Sequence, residues 1–336
     1  MKIVKYIFLV AITLSFSQHD DLFFVPKNWP KPTYNFDNNK LTESKVKLGK
    51  VLFYDPILSK DNTISCASCH SPFSAFTHID HALSHGIHDS IGTRNSPALI
   101  NLAWQNAFMW DGAINNLDMQ ALAPLTHKAE MANDMKTLVE KLNTIKLYKQ
   151  LFKIAFGDSI VTGEKTLKAI SQFLITLVSC NSKYDLVMKK QVSFTNQEMN
   201  GYKLFQKHCN SCHKEPLFTS NQFKNNGLSI DTLLNDFGRV EITKNPIDSL
   251  KFKIPTLRNI EYTFPYMHDG RFKKLSQVMN HYTSQIQKSK TLATELQQKI
   301  ILTSNEKVDI IAFLMTLSDR NFVFDKRFSD PYTRYN

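Results

Sequence analysis

Cys-x-x-Cys-His occurs twice in this chain, at Cys66-Ala67-Ser68-Cys69-His70 and at Cys209-Asn210-Ser211-Cys212-His213, and the residues around the two copies repeat in the same order. Gly49-Lys50-Val51-Leu52-Phe53 precedes the first and Gly201-Tyr202-Lys203-Leu204-Phe205 the second; Phe-Thr follows each, at Phe76-Thr77 and Phe218-Thr219. Pro97-x-Leu99-x-Asn101 returns as Pro255-x-Leu257-x-Asn259. Thirteen residues past each Pro stands Trp110-Asp111-Gly112 or His268-Asp269-Gly270, and Leu117 or Leu275 follows seven further on. Ile170-x-x-Phe173-Leu174-x-Thr176-Leu177 matches Ile310-x-x-Phe313-Leu314-x-Thr316-Leu317. Such a frame restricts the fold to two homologous modules, each with a leading helix, a cysteine motif, a Pro-Leu-Asn loop and a closing helix.

The apolar positions support that reading. Leu48, Val51 and Leu52 share one face of a helix between Thr42 and Asp55, and the segment from Glu198 to His208 leads into the second motif. Leu167, Ile170, Phe173, Leu174, Leu177 and Val178 keep helical spacing. No strand pairs stand out. A length of 336 residues fits two domains, and the junction falls between Tyr184 and Thr195.

Two thiols three positions apart can each form a thioether with a haem vinyl group, and the adjacent His then presents an imidazole nitrogen to the iron. Zinc is the alternative, but it needs four ligands in a closed shell and each motif offers three. The expectation is two covalently bound haem c groups, held by Cys66, Cys69 and His70 and by Cys209, Cys212 and His213. The fold class is then mainly α, with two tandem cytochrome c-like domains related by internal duplication. An iron with a strong sixth ligand carries electrons; one with an open position catalyses.

The N-terminus carries Lys2 and Lys5, an apolar run from Tyr6 to Phe16, and Ser15-Phe16-Ser17, which reads as an exported protein's signal peptide over residues 1–17. The domains expected after it are 18–190 and 191–336. The periplasm is the expected location, with no membrane span in the mature chain. The formal charge is +11, and +9 without residues 1–17; on an exported chain this suggests an acidic partner or membrane surface rather than nucleic acid. Of five cysteines, Cys180 is left over and is expected to be buried.

The sequence resembles the bacterial di-haem cytochrome c peroxidases and, within them, the MauG-like branch, from about Leu48 to Asp319. The resemblance rests on Thr93-Arg94-Asn95-Ser96-Pro97, Trp110-Asp111-Gly112, Ile254-Pro255-Thr256-Leu257-Arg258-Asn259 and Tyr266-Met267-His268-Asp269-Gly270. It implies reduction of hydrogen peroxide with electrons from a small cytochrome or copper protein. It places the peroxidatic haem on His70 and the electron-accepting haem on His213. Catalytic roles carry over to Glu130, Gln120 and Trp110. It also implies a calcium ion between the domains, held by the Asn95 side chain and the carbonyls of Thr263 and Pro265. The partners expected are hydrogen peroxide and the donor protein, with a homodimer as the assembly the reading allows.

The residues have chemistry suited to those roles. A carboxylate can move a proton between the two peroxide oxygens as base and then acid. Gln120 can orient but not titrate, and Trp110 can relay an electron. Carbonyl and amide oxygens suit calcium.

Two positions depart from the peroxidase pattern. Where a His blocks the first haem in many family members this chain has Ile87, flanked by His85 and His88. An open first haem is the expectation, with His85 or His88 as substitute gates. Where the second haem's sulfur ligand is expected stands Tyr282, as in the MauG-like branch, with Met267 and Met279 as remaining sulfur candidates. An anionic phenolate stabilises ferric iron, opposite to a thioether. The leading expectation is a peroxidase. The alternative is a MauG-like oxidase that uses peroxide to modify residues of a partner protein.

Overall fold

The structure, a computed structural model, describes residues 22–332; the expected leader, residues 1–17, lies outside them. Each module is built on a crossed helix pair: Glu43–Tyr54 with Gly163–Ile175, and Asn196–His208 with Ser304–Met315. All four helices start at a threonine, Thr42, Thr162, Thr195 and Thr303, whose hydroxyl accepts a first-turn backbone N–H. At Thr195 and Thr303 the box is completed by Glu198 and Glu306 reaching back to the cap amide.

The repeated glycines explain the crossings. A Cβ on Gly49 would lie 1.9 Å from the Ala169 carbonyl oxygen, and one on Gly201 would lie 1.9 Å from that of Asp309. Each leading helix thus touches its closing helix backbone to backbone, which only glycine permits. Beside each crossing sits the same trio of phenylalanines. Phe53 lies 5.2 Å from Phe173 and 5.9 Å from Phe76; Phe205 lies 5.0 Å from Phe313 and 5.6 Å from Phe218. All six are at most 1% exposed, and each such side chain stabilises the fold by roughly 2–3 kcal/mol through burial.

The modules exchange the segments that follow their closing helices. Tyr184, past the first closing helix, packs on Phe218 of the second core at 4.8 Å. Phe322 and Phe328, past the second, pack on Phe76 of the first at 5.9 and 6.2 Å. Asn101 and Asn259 fasten these crossovers in the same way. Both have positive φ, and their amides donate to the carbonyls of Leu177 and Leu317 at 2.9 and 3.0 Å. Their Oδ1 atoms accept from the amides of Ser179 and Asp319 at 2.9 and 2.8 Å. Asp319 in turn accepts from the amides of Cys180 and Asn181, and Cys180 is buried. The exchange packs a segment of each homologous domain against the core of the other.

The architecture is mainly helical, as expected. Among the described residues the one ladder pairs Phe223–Lys224 with Phe252–Lys253, too short to leave an alternating pattern in the sequence. No helix of the described residues is long and apolar enough to cross a membrane.

Candidate haem sites and the surface between them

The two histidines are held in equivalent ways. His70 Nδ1 lies 2.9 Å from the Phe76 carbonyl. His213 Nδ1 lies 3.2 Å from the carbonyls of both Phe218 and Pro255. A carbonyl can only accept, so Nδ1 carries the proton and Nε2 presents its lone pair. Burial pushes both imidazoles down to about 4, which keeps them neutral. The four motif cysteines are free thiols. Beside the second motif lies an apolar cavity of about 250 Å³ with Cys209, Cys212 and His213 on its wall and Tyr282, Met279 and Met267 also lining it. Free thiols, neutral imidazoles with a free Nε2 and an apolar cavity are what a covalently held haem needs.

Tyr282 stands on a single π-turn, His281–Gln285, after the helix Leu275–Asn280. Such turns re-aim one side chain and recur at functional sites. Burial pushes its phenol up to about 12, the Asn226 side chain draws it back, and the Cys209 and Cys212 thiols are near enough to add to the rise. The phenol is therefore neutral until a positive centre stabilises the phenolate. Asn226 organises this wall: its Nδ2 donates to Met267 Sδ at 3.5 Å and its carbonyl lies 3.0 Å from His281 Nε2. Asn226 carries no motif signal, and sequence reasoning passed over it.

At the first motif, Glu130 sits in a loop fastened on both sides. Its carbonyl accepts from the Ile87 amide at 2.8 Å, and the Met131 carbonyl accepts from the Lys60 amide at 2.9 Å. Burial raises the Glu130 carboxyl above the usual carboxylate range, and His127, 3.6 Å away, opposes this. Glu130 is also close enough to raise the Cys66 and Cys69 thiols, after the larger effect of burial on each. It therefore lies within electrostatic reach of the first motif's cysteines. Gln120 ends the short helix Leu117–Gln120, its Nε2 at 3.9 Å from Met109 Sδ.

The histidine-rich loop runs past the first motif, with the His85 carbonyl 3.4 Å from Cys69 Sγ. Ile87 is 5% exposed. His85 Nδ1 is 2.7 Å from Asp89 Oδ1, and its ring stacks on His81 at 4.2 Å. His88 is largely exposed, 3.8 Å from Asp61.

Trp110 lies between the modules. Its Nε1 donates to the Asn95 carbonyl at 2.8 Å, and its own carbonyl accepts from the Lys253 amide at 2.7 Å. Asn95, Trp110, Thr263 and Pro265 all line the cavity beside the second motif. Asn95 Nδ2 donates to the Ala82 carbonyl at 3.0 Å, which leaves Oδ1 as its donor oxygen. Arg94 pins the junction by pairing with Asp111 at 2.5 Å and Asp236 at 2.6 Å.

Residues 43–193 match the family described as di-haem cytochrome c peroxidase, and residues 198–318 match cytochrome c. A methylamine utilization protein MauG from Methylorubrum extorquens is 34% identical, over 87% of this chain and 82% of the relative. The chain belongs to the di-haem cytochrome c peroxidase and MauG family. It is an oxidoreductase with haem c as cofactor and peroxide as the substrate its family implies. Cytochrome c551 peroxidase from Nitrosomonas europaea is 34% identical, over 81% of this chain and 79% of the relative. A crystal structure of a MauG-like protein associated with microbial copper homeostasis superposes with a TM-score of 0.83 at 30% identity, covering 92% of this chain and 98% of that one.

Proposed function

We propose that this protein reduces hydrogen peroxide to water at its first haem, in the periplasm. Electrons arrive singly at the second haem from a small cytochrome or copper protein. The observation that carries this is Glu130, a carboxyl raised by burial and within electrostatic reach of Cys66 and Cys69. When bound, the haem iron supplies the electrons that break the peroxide O–O bond. Glu130 takes the proton from one peroxide oxygen and returns it to the other as that oxygen departs. The whole reaction takes up two electrons and two protons and releases two waters. Gln120 orients the peroxide, and Trp110 lies on the route between the modules. His85 is committed to Asp89 and His81, and His88 to solvent beside Asp61, which favours a first haem open at rest. Asn95 Oδ1 and the Thr263 and Pro265 carbonyls would hold a calcium ion at the junction.

Tyr282 favours a second reading. A phenolate on the second iron lowers its potential and makes it a poor acceptor. That suits an oxidase acting on a bound protein, and relatives carry both kinds of name. The deciding experiment is steady-state peroxide turnover with a reduced small cytochrome or copper protein. Sustained turnover supports the peroxidase; peroxide consumption without donor oxidation supports the oxidase.

A further inference from the structure

On the second module, where Arg239 reaches the Asp111 carbonyl of the first, lies a broad groove of about 870 Å³, lined by Lys224, Arg239, Lys251 and Lys290 around Phe223 and Ile247. Ile247 is 63% exposed. An apolar centre ringed by one sign of charge is the anatomy of a weak, fast-exchanging protein interface.

Two of the four cations are balanced locally. Lys224 Nζ lies 3.0 Å from Glu295, and Lys251 Nζ lies 3.1 Å from Asp248. Arg239 lies over the Phe223 ring at 3.9 Å and donates to the Asp111 carbonyl at 2.9 Å; the carboxylate it also acts on is Asp248, already paired with Lys251. Lys290 is exposed and has no carboxylate partner among the described residues. The groove therefore keeps a positive excess.

Its position gives that charge a use. Asn221, Lys224 and Ala293 line both the groove and the cavity of the second haem. Cys212, Lys224 and Glu295 stand together on the wall of that cavity. The floor of the groove is thus the protein layer beside a cysteine that would tether the haem edge. Asn221, Lys224 and Ala293 form the wall shared between a redox centre seated there and the cavity.

We propose that this groove docks the electron donor and that the donor is an acidic redox protein, with carboxylates meeting Lys290 and Arg239 around an apolar contact on Ile247. The proposal rests on the reading of the second haem as the electron-accepting one. Each encounter transfers one electron: the donor is oxidised by one, the second haem is reduced by one, and no bond is made or broken.

The test is stopped-flow reduction of the ferric holoprotein, without peroxide, by a reduced acidic copper protein over a range of ionic strength. The second-order rate constant is expected to fall as salt rises, because opposite charges steer the encounter and salt screens them. Lys290→Glu is expected to lower it about tenfold at low salt, with the difference closing at high salt. Lys149→Glu, an exposed charge reversal on the first module, separates local docking from net charge and is expected to leave the rate within about twofold. Reduction by ferrocenemethanol, which is small and neutral, should be unchanged in both variants. Equal losses in both variants, a rate indifferent to salt, or faster reduction by a basic cytochrome c overturns the proposal. If Lys290→Glu behaves as expected but peroxide turnover is absent, the peroxidase reading fails and the docking site stands.

Discussion

The backbone amide of Asn95 donates to the carbonyl of His268 across 2.7 Å, and the amide of Lys253 donates to the carbonyl of Trp110 across the same distance. Asn95 and Lys253 each stand two residues before the repeated proline, and Trp110 and His268 each open the repeated x-Asp-Gly turn. The junction is therefore a pseudo-twofold exchange in which each module's proline segment is hydrogen-bonded to the other module's turn. Duplication explains the symmetry. The difference between Trp110 and His268 marks where the halves were given different work, since only the first module places an indole between the sites.

Arg94 is the side chain that ties this exchange together. Burial pushes Asp236 up, but the hydrogen bond and charge of Arg94 more than offset it, leaving Asp236 below the usual carboxylate range. Removing Arg94 leaves Asp111 and Asp236 largely buried without their cation. Arg94→Met is expected to destabilise the protein by about 3 kcal/mol, the lower end for breaking a buried pair. The sign with pH follows from the depressed carboxyl. The stabilisation is complete above Asp236's unfolded value and is lost as pH falls through its lower folded one. Thermal melts at neutral and acid pH should show the gap between wild type and variant narrowing as pH falls; a gap constant with pH would detach Asp236 from the effect.

On the proposed reaction, Glu130 is expected to set the acid limb of peroxide cleavage. As the base it must be ionised, and burial raises its carboxyl, so the limb should lie above the usual carboxylate range. His127 draws that carboxyl down, so His127→Ala should move the limb to still higher pH. Glu130→Gln should slow peroxide cleavage by roughly 100-fold and abolish the limb. Stopped-flow mixing with peroxide across pH measures all three. A limb that persists in Glu130→Gln belongs to another group.

The helix pairs, the motif histidines and the mainly helical fold were legible because each rests on local spacing. Thr42 and Asp55 bounded the first leading helix in the sequence and are its caps in the structure. What escaped reading is long-range. Nothing local says that Phe322 and Phe328 belong to the first core, that Arg94 reaches Asp236 142 residues away, or that Asn226 backs Tyr282. These contacts arise only once the modules face one another. The roles of Glu130 and Trp110 came from resemblance, since an isolated Glu or Trp has no spacing to betray it.

Gly49 and Gly201 offer a test of the duplication as a physical design. A methyl group at either would drive the leading helix off the carbonyl of Ala169 or Asp309. Gly49→Ala and Gly201→Ala are each expected to cost about 1–3 kcal/mol, the usual range for overpacking, despite alanine's better helix propensity. Melting temperatures of the holoproteins measure this. A stabilised variant would show that the crossing can open without loss.

Tyr282 separates the two readings of function. With burial holding its phenol up at about 12, it becomes a phenolate only if the ferric iron of the second haem stabilises the charge. That bond would favour the ferric state, because an anionic oxygen donates more strongly than a neutral thioether. Tyr282→Met is therefore expected to raise the second haem's potential and to speed its reduction by a small donor protein. Asn226→Leu supplies a second arm. It removes the side chain that draws the phenol down and that holds Met267 Sδ. It should weaken phenolate ligation and free Met267 to compete, moving the potential in the same direction by a smaller amount. Redox titration of the three proteins, with magnetic circular dichroism to identify the ligand, measures both effects. A methionine-to-iron band in the wild type would hand the position to Met267 or Met279 and favour ordinary peroxidase behaviour. A potential unmoved in Tyr282→Met would leave Tyr282 a packed wall of the cavity and nothing more.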